Sequence, residues 1–269
     1  EYMDTKRWSD DVHFEHYLRL LRYKYQEAGG SGLPLEVVIC FDDHALDFAL
    51  HYRDELFPGV PIVFGGINDF QPERIVGVDR ITGVNDVYDF GDTMDVVLGL
   101  HPETRRFIVI GDETKSGLAG LGRMNRHRAR LEERVTFEVL LELPMEDLEA
   151  RLSALGPGDV VLYLALLRTR DNQTYTLEES RRLVAEASPV PVYCFWDFIG
   201  GNGLVGGHGF DAYEHGLAVA HLAERILDGE DVRSIPVQPR EPNPWEFDYS
   251  ALIRFGIDAD ELPPGSKIV

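Results

Sequence analysis

The chain has 269 residues, 44% hydrophobic and 27% charged. That is the balance of a globular protein with room for one large α/β domain or two smaller ones. The formal net charge of -21 argues against nucleic acid or an anionic membrane surface as partner, since phosphate binding needs clustered Lys and Arg; solubility or a salty habitat is the plainer account of it.

Residues 10–27 read as an amphipathic helix, with Phe14, Tyr17, Leu18, Leu21 and Tyr25 at helical spacing and Gly29–Gly30 as its stop. A strand over residues 36–41 runs into Asp42–Asp43–His44, and a helix follows over about residues 44–55. The strand of 61–64 runs into Gly65–Gly66–Ile67–Asn68–Asp69, and residues 81–84 make a short third strand. A helix over residues 92–100 has Asp92 as its expected N-cap. A second series follows: strand 106–110, helix 116–132, strand 135–141, helix 145–155, strand 159–164, helix 176–187 and strand 190–195. Thr176 and Glu179 fit a capping box at the last of these helices. A long helix spans residues 211–228, and the Pro-rich tail carries one short helix near 248–255.

Continuous apolar runs of this length suit strands buried on both faces, as in a parallel sheet covered by helices. In such sheets ligands bind beyond the carboxyl ends of the strands, where the polar clusters fall. Two series in tandem predict two α/β lobes joined near residues 84–92. The first opens on a helix, although parallel wiring normally begins with a strand. The chain, which does not start with Met and shows neither a signal peptide nor an apolar stretch of about 18 residues, therefore reads as an excised piece lacking its first strand. Cys40 and Cys194 fall in expected buried strands and read as free thiols.

The motifs point to binding more than to catalysis. Gly201–Asn202–Gly203–Leu204–Val205–Gly206 matches a dinucleotide fingerprint, but it follows the last strand of a series and no acid closes the pattern about 20 residues on. A glycine-rich crossover is the better reading, so no cofactor is expected. Asp42–Asp43–His44 is a poor metal site, because neighbours at a strand end point apart; no metal is expected. Gly111–Asp112–Glu113–Thr114–Lys115–Ser116–Gly117 joins a strand to a helix and is not a P-loop. No nucleophile elbow and no carboxylate pair in contrasting surroundings is present, so the chain itself is read as non-catalytic.

At Asp42–Asp43–His44–Ala45–Leu46, Gly111–Asp112–x–Thr114 and Trp196–Asp197–Phe198–Ile199–Gly200–x–Asn202–Gly203–Leu204–Val205–Gly206–Gly207, the chain resembles the substrate-binding-protein-like sensor domains of bacterial membrane signalling proteins. The opening Glu1–Tyr2–Met3–Asp4–Thr5–Lys6–Arg7 and the closing Leu262–Pro263–Pro264–Gly265–Ser266 share the resemblance. It implies a type I periplasmic-binding-protein fold with two Rossmann-like lobes, on the periplasmic or extracellular side of a bacterial inner membrane, in a histidine kinase or diguanylate cyclase. A free substrate-binding protein of an ABC transporter is the alternative. Lobe one is expected to take residues 1–89 and about 209–230, lobe two residues 90–196 and about 231–269, with 197–208 as hinge.

A small molecule would lie in the interlobe cleft. Expected contacts are Asp42, Asp43, Asn68 and Asp69 on the first lobe, and Asp112, Thr114, Tyr163, Arg168 and Trp196 on the second. Asp side chains would meet an amine and Arg168 a carboxylate, while Tyr163 or Trp196 would stack on an apolar part, which points to an amino acid or similar zwitterion. Asp89, Gly200, Gly201, Gly203 and Gly206 are the expected hinge residues. Membrane contact is expected only through segments outside this chain, and a homodimer is among the partners considered.

Overall fold

Every apolar run read as a strand forms one. The computed structural model describes residues 3, 11–27, 35–68, 70–86, 90–141, 143–195, 200–208, 212–240 and 245–269. In chain order the elements are α1 (Asp11–Arg22), β1 (Val38–Phe41), α2 (Asp43–Leu56), β2 (Ile62–Gly65), β3 (Ile81–Asp86), α3 (Phe90–Leu100), β4 (Arg106–Ile110) and α4 (Lys115–Leu131). There follow β5 (Thr136–Leu140), α5 (Met145–Ser153), β6 (Asp159–Tyr163), α6 (Leu177–Ala187), β7 (Val192–Cys194) and β8 (Gly206–His208). The chain closes with α7 (Ala212–Leu227), β9 (Gln238–Arg240), β10 (Trp245–Phe247), α8 (Tyr249–Phe255) and β11 (Lys267–Ile268).

The chain divides into two units. The first comprises Glu1–Val87 and Ala212–Glu241, the second Tyr88–Asp211 and Pro242–Val269. The first holds a four-stranded parallel sheet in the order β1-β2-β3-β9. Alternation along the strands splits its core. Cys40, Ile62 and Phe64 meet Leu18, Leu21, Leu46 and Phe48 from α1 and α2, while Val63 and Val84 meet Val219, Leu222 and Ala223 of α7. Full burial of each such side chain contributes about 1.5–3 kcal/mol. Because β9 pairs with β3, residues 231–241 belong here and not, as expected from the sequence, to the second lobe. β1 is an edge strand, and Ile39 and Phe41 remain 44% and 46% exposed.

The second unit holds a seven-stranded sheet in the order β11-β10-β8-β7-β6-β4-β5. The strands from β5 to β8 run parallel; β10 is antiparallel to β8. One face packs on α3, α4 and α8 through Phe90, Met94, Met124 and Leu252; the other packs on α5 and α6 through Leu148, Leu152 and Val184. The Thr176–Glu179 capping box is formed. α3 begins at Phe90, so Asp92 sits inside its first turn instead of capping it.

β8, β10 and β11 are too short to show in the sequence pattern. Gly206, expected as a hinge residue, is the first residue of β8. A Cβ there would lie 2.5 Å from the Glu246 carbonyl oxygen, and one on Gly207 would lie 2.3 Å from the Cys194 carbonyl oxygen. These glycines let β7, β8 and β10 close together. The chain passes between the units after residues 87, 211 and 241, none of them inside the expected hinge 197–208.

Two outcomes follow from this packing. Gly207→Ala forces the β7–β8 pairing apart and is expected to cost about 1–3 kcal/mol in urea denaturation; an unchanged midpoint would count against the close-approach reading. His101 bonds through Nε2 to the Tyr193 hydroxyl at 2.7 Å, and burial pushes its pKa below the usual histidine range against the opposing pull of Glu103. The unfolded chain takes up this proton near pH 6.5 while the folded chain still resists it, so stability falls as pH drops through about that value. Thermal melts between about pH 7.5 and 5.5 should show the loss, and His101→Gln should shrink it. An undiminished loss in the variant would rule His101 out as a source.

Candidate functional site

The polar clusters at the strand ends do two kinds of work. In the first unit, Asp42 follows β1 with φ 80° and ψ 154°, a conformation open to glycine and strained for aspartate by about 1–3 kcal/mol. Its backbone is pinned: the N–H donates to the Gly65 carbonyl at 3.2 Å and the carbonyl accepts from Leu46 N–H at 3.1 Å. Its carboxylate does not cap α2.

Asp43 is buried and its carboxylate is engaged. Oδ2 accepts from the Asn68 backbone N–H at 3.1 Å and from Asn68 Nδ2 at 2.8 Å, and Oδ1 accepts from Arg74 at 2.5 Å. Arg74 also bonds Asp47 at 2.6 Å; burial opposes its charge, but the two carboxylates outweigh that and raise its pKa. Asp43 and Asn68 thus brace the loop after β2. Asp69 lies outside the described residues.

In the second unit, β5 and β6 flank β4, so the direction of winding reverses between β4 and β6. That is the switch point at which doubly wound sheets open a crevice. Asp112 follows β4 there, 1% exposed. Oδ1 accepts from Thr114 N–H at 3.0 Å and Thr114 Oγ1 at 2.5 Å; Oδ2 accepts from Leu167 N–H at 2.5 Å and Arg168 N–H at 3.1 Å. Thr114 in turn caps α4 by accepting from Gly117 N–H at 3.3 Å. Asp112 therefore latches the loop that leaves β6.

Tyr163 supports that loop from beneath. It is fully buried, bonds Ser180 Oγ at 2.7 Å and accepts from Leu166 N–H at 3.1 Å. Burial raises its pKa. Its ring lies in the core under the Arg181 guanidinium, so the expected stacking surface is a brace instead. Beyond it the chain makes a tight excursion closed by Tyr175 N–H to Leu167 O at 2.9 Å and by an antiparallel bridge between Arg168 and Thr174. Arg168 is half-buried, held by its backbone, and among the described residues its guanidinium has no partner.

Trp196 and Asp89 lie outside the described residues. Gly200, Gly201 and Gly203 form turns in the second unit, where Gly201 N–H donates to Asp248 Oδ2 at 2.6 Å. Asp248 also caps α8 through Ala251 N–H at 2.8 Å. Sequence reasoning passed over Asp248 and Ser180; the N-cap position of Asp248 ahead of the predicted short helix was the available signal. It also passed over the face-to-face stack of His208 on Trp245, 4.3 Å between centroids, whose strands it did not see.

No protein-family model and no curated protein matches the chain. Solved structures do. The ABC domain from Streptococcus pneumonia in complex with L-Trp is 13% identical, with 97% of this chain and 84% of that one covered and a TM-score of 0.64. A conserved domain protein from Vibrio cholerae is 15% identical over 93% and 83%, at 0.62. An ABC transporter solute binding protein from Bacillus halodurans with bound myo-inositol is 14% identical over 88% and 80%, at 0.57. The fold is that of the type I periplasmic binding proteins, with two α/β lobes and mainly parallel sheets.

The Asp112 latch makes a direct prediction. Asp112→Ala leaves the N–H groups of Thr114, Leu167 and Arg168 without their acceptor and should cost about 2–4 kcal/mol of stability in chemical denaturation. A loss below about 0.5 kcal/mol would show that the latch holds nothing.

Proposed function

We propose that the chain is the extracytoplasmic small-molecule-binding domain of a bacterial transmembrane signalling protein, a histidine kinase or diguanylate cyclase. Its ligand is an amino acid or a similar zwitterion, bound by strand-end loops. The observation that carries this reading is the state of Arg168: a guanidinium with no partner among the described residues, on a loop fastened at the switch point of the second sheet, in a chain of net charge -21. A carboxylate is the group its fork of donors fits. Asp42, held in a strained conformation at the end of β1, is the counterpart for an amine. Thr114, Asp69 and Trp196 complete the proposed contacts. A neighbour in fold that carries L-Trp supports the amino-acid class, and one that carries myo-inositol supplies the contrasting neutral ligand.

Binding is favoured over catalysis by the buried carboxylates themselves. Asp43 and Asp112 accept from backbone, hydroxyl or guanidinium donors on both oxygens, which leaves neither placed to take a proton from a substrate. Signalling is favoured by the strand-end and tail motifs. The second reading, a free solute-binding protein of a transporter, rests on the solved neighbour from Bacillus halodurans that carries that description. The flanking gene separates them: a membrane helix and a kinase or cyclase module after Val269 support the first, a stop codon near Val269 with a secretion signal upstream the second.

Calorimetric titration with the proteinogenic amino acids and myo-inositol tests the ligand class. At least one amino acid is expected to bind and the polyol to give no heat. Arg168→Ala should weaken the amino acid by about 10–100-fold, the loss of a charge-assisted hydrogen bond. Silence across the amino acids, or undiminished binding in Arg168→Ala, would sink the zwitterion reading.

A further inference from the structure

The loop after β2 is held from a second side, by a residue that the proposed contacts do not include. His215, in the first turns of α7, is 1% exposed. Its Nε2 stands 2.8 Å from the backbone N of Gly66, and the two residues are 149 apart in sequence. The N–H donates, so Nε2 is the bare nitrogen and the ring proton of the neutral imidazole sits on Nδ1. The ring lies close over the end of β2: a Cβ on Gly65 would come 2.6 Å from Nε2 and 2.5 Å from Val219 Cγ2. Phe41, at the end of β1, packs edge-on against the same ring with 6.0 Å between centroids.

Gly66 itself has φ 64°, and two residues later Asn68 donates its backbone N–H and its amide to Asp43. Residues 65–68 are therefore suspended between two acceptors, the Asp43 carboxylate on α2 and the His215 imidazole on α7. Without the imidazole, the left-handed turn at Gly66 keeps its entropy and loses its anchor. Without the carboxylate, Asn68 loses the acceptor of its backbone N–H and its amide.

We infer that His215 is a positioning residue for the proposed ligand loop of the first unit, acting through the Nε2–Gly66 hydrogen bond. The inference rests on the reading that this loop touches ligand. α7 begins directly after residue 211, where the chain passes from the second unit to the first. The bond therefore ties the loop to the first helix after a crossing, so a shift of that helix end is carried to Asn68. An aliphatic residue of similar bulk fills the space and leaves the Gly66 N–H without an acceptor, whereas Gln keeps an acceptor oxygen.

The test uses NMR on the whole ligand-free chain, with calorimetry beside it. Imidazole nitrogen signals of the unmodified protein should show His215 neutral with Nε2 bare. Exchange of the Gly66 amide should be slow, should speed up by about tenfold in His215→Leu, and should return to within about threefold in His215→Gln. The amino acid that binds the unmodified protein should bind His215→Leu about tenfold more weakly and His215→Gln nearly as well. A proton found on Nε2, or Gly66 exchange and affinity unmoved by His215→Leu, overturns the assignment. If His215→Leu does not fold, the ring signals and the Gln variant decide. If no amino acid binds the unmodified protein, the ligand reading falls while the ring and exchange data still judge His215.

Discussion

The second unit depends on one buried carboxylate. Asp112 sits at the point where the winding of the sheet reverses, and among the described residues its carboxylate is met by backbone N–H groups and one hydroxyl instead of a cation. Burying a lone carboxylate costs several kcal/mol, and charge-assisted hydrogen bonds of about 1.5–3 kcal/mol each offset it only when enough of them converge. Two of the donors come from the loop after β6 and two from the turn that opens α4. The carboxylate keeps all its hydrogen-bond donors only while those two loops meet around it. The polar requirement of one side chain thus sets the shape of the edge.

The same device recurs. Asp43 opens α2 and fastens the loop after β2 through Asn68. Asp248 caps α8 and fastens the glycine turn through Gly201. In each case an aspartate at a helix start faces away from its own helix with at least one oxygen and holds a distant backbone N–H. Helix N-termini favour negative charge, which lowers the cost of leaving the carboxylate ionised there. A chain with 47 acidic residues has many aspartates to spend on solvent, and these three are distinguished by burial alone.

Burial is what the sequence could not convey. The strands from β1 to β7 were legible because their apolar runs are continuous, and the helices because their spacing and caps follow local rules. β8 was not, because Gly206 and Gly207 read as flexibility when their role is close approach to Cys194 and Glu246. β9, β10 and β11 have two or three residues each, too few for any period to appear. The polar clusters do follow the strands, but the letter Asp does not tell a buried brace such as Asp43 or Asp112 from an aspartate that braces nothing. Tyr163 was misjudged for the same reason: a tyrosine at the end of an apolar run gives no hint that Ser180, on the next helix, waits for its hydroxyl.

The backbone latch also shows how a carboxylate and an arginine can be neighbours in this acidic chain without pairing. Had Asp112 met the Arg168 guanidinium instead of its backbone N–H, the two would have formed a closed ion pair. By taking the N–H groups of Leu167 and Arg168, the carboxylate fixes the backbone and, among the described residues, leaves the side chain of Arg168 unpaired. Latching by backbone is therefore the arrangement that lets a buried carboxylate hold the loop that carries Arg168 without pairing with its guanidinium.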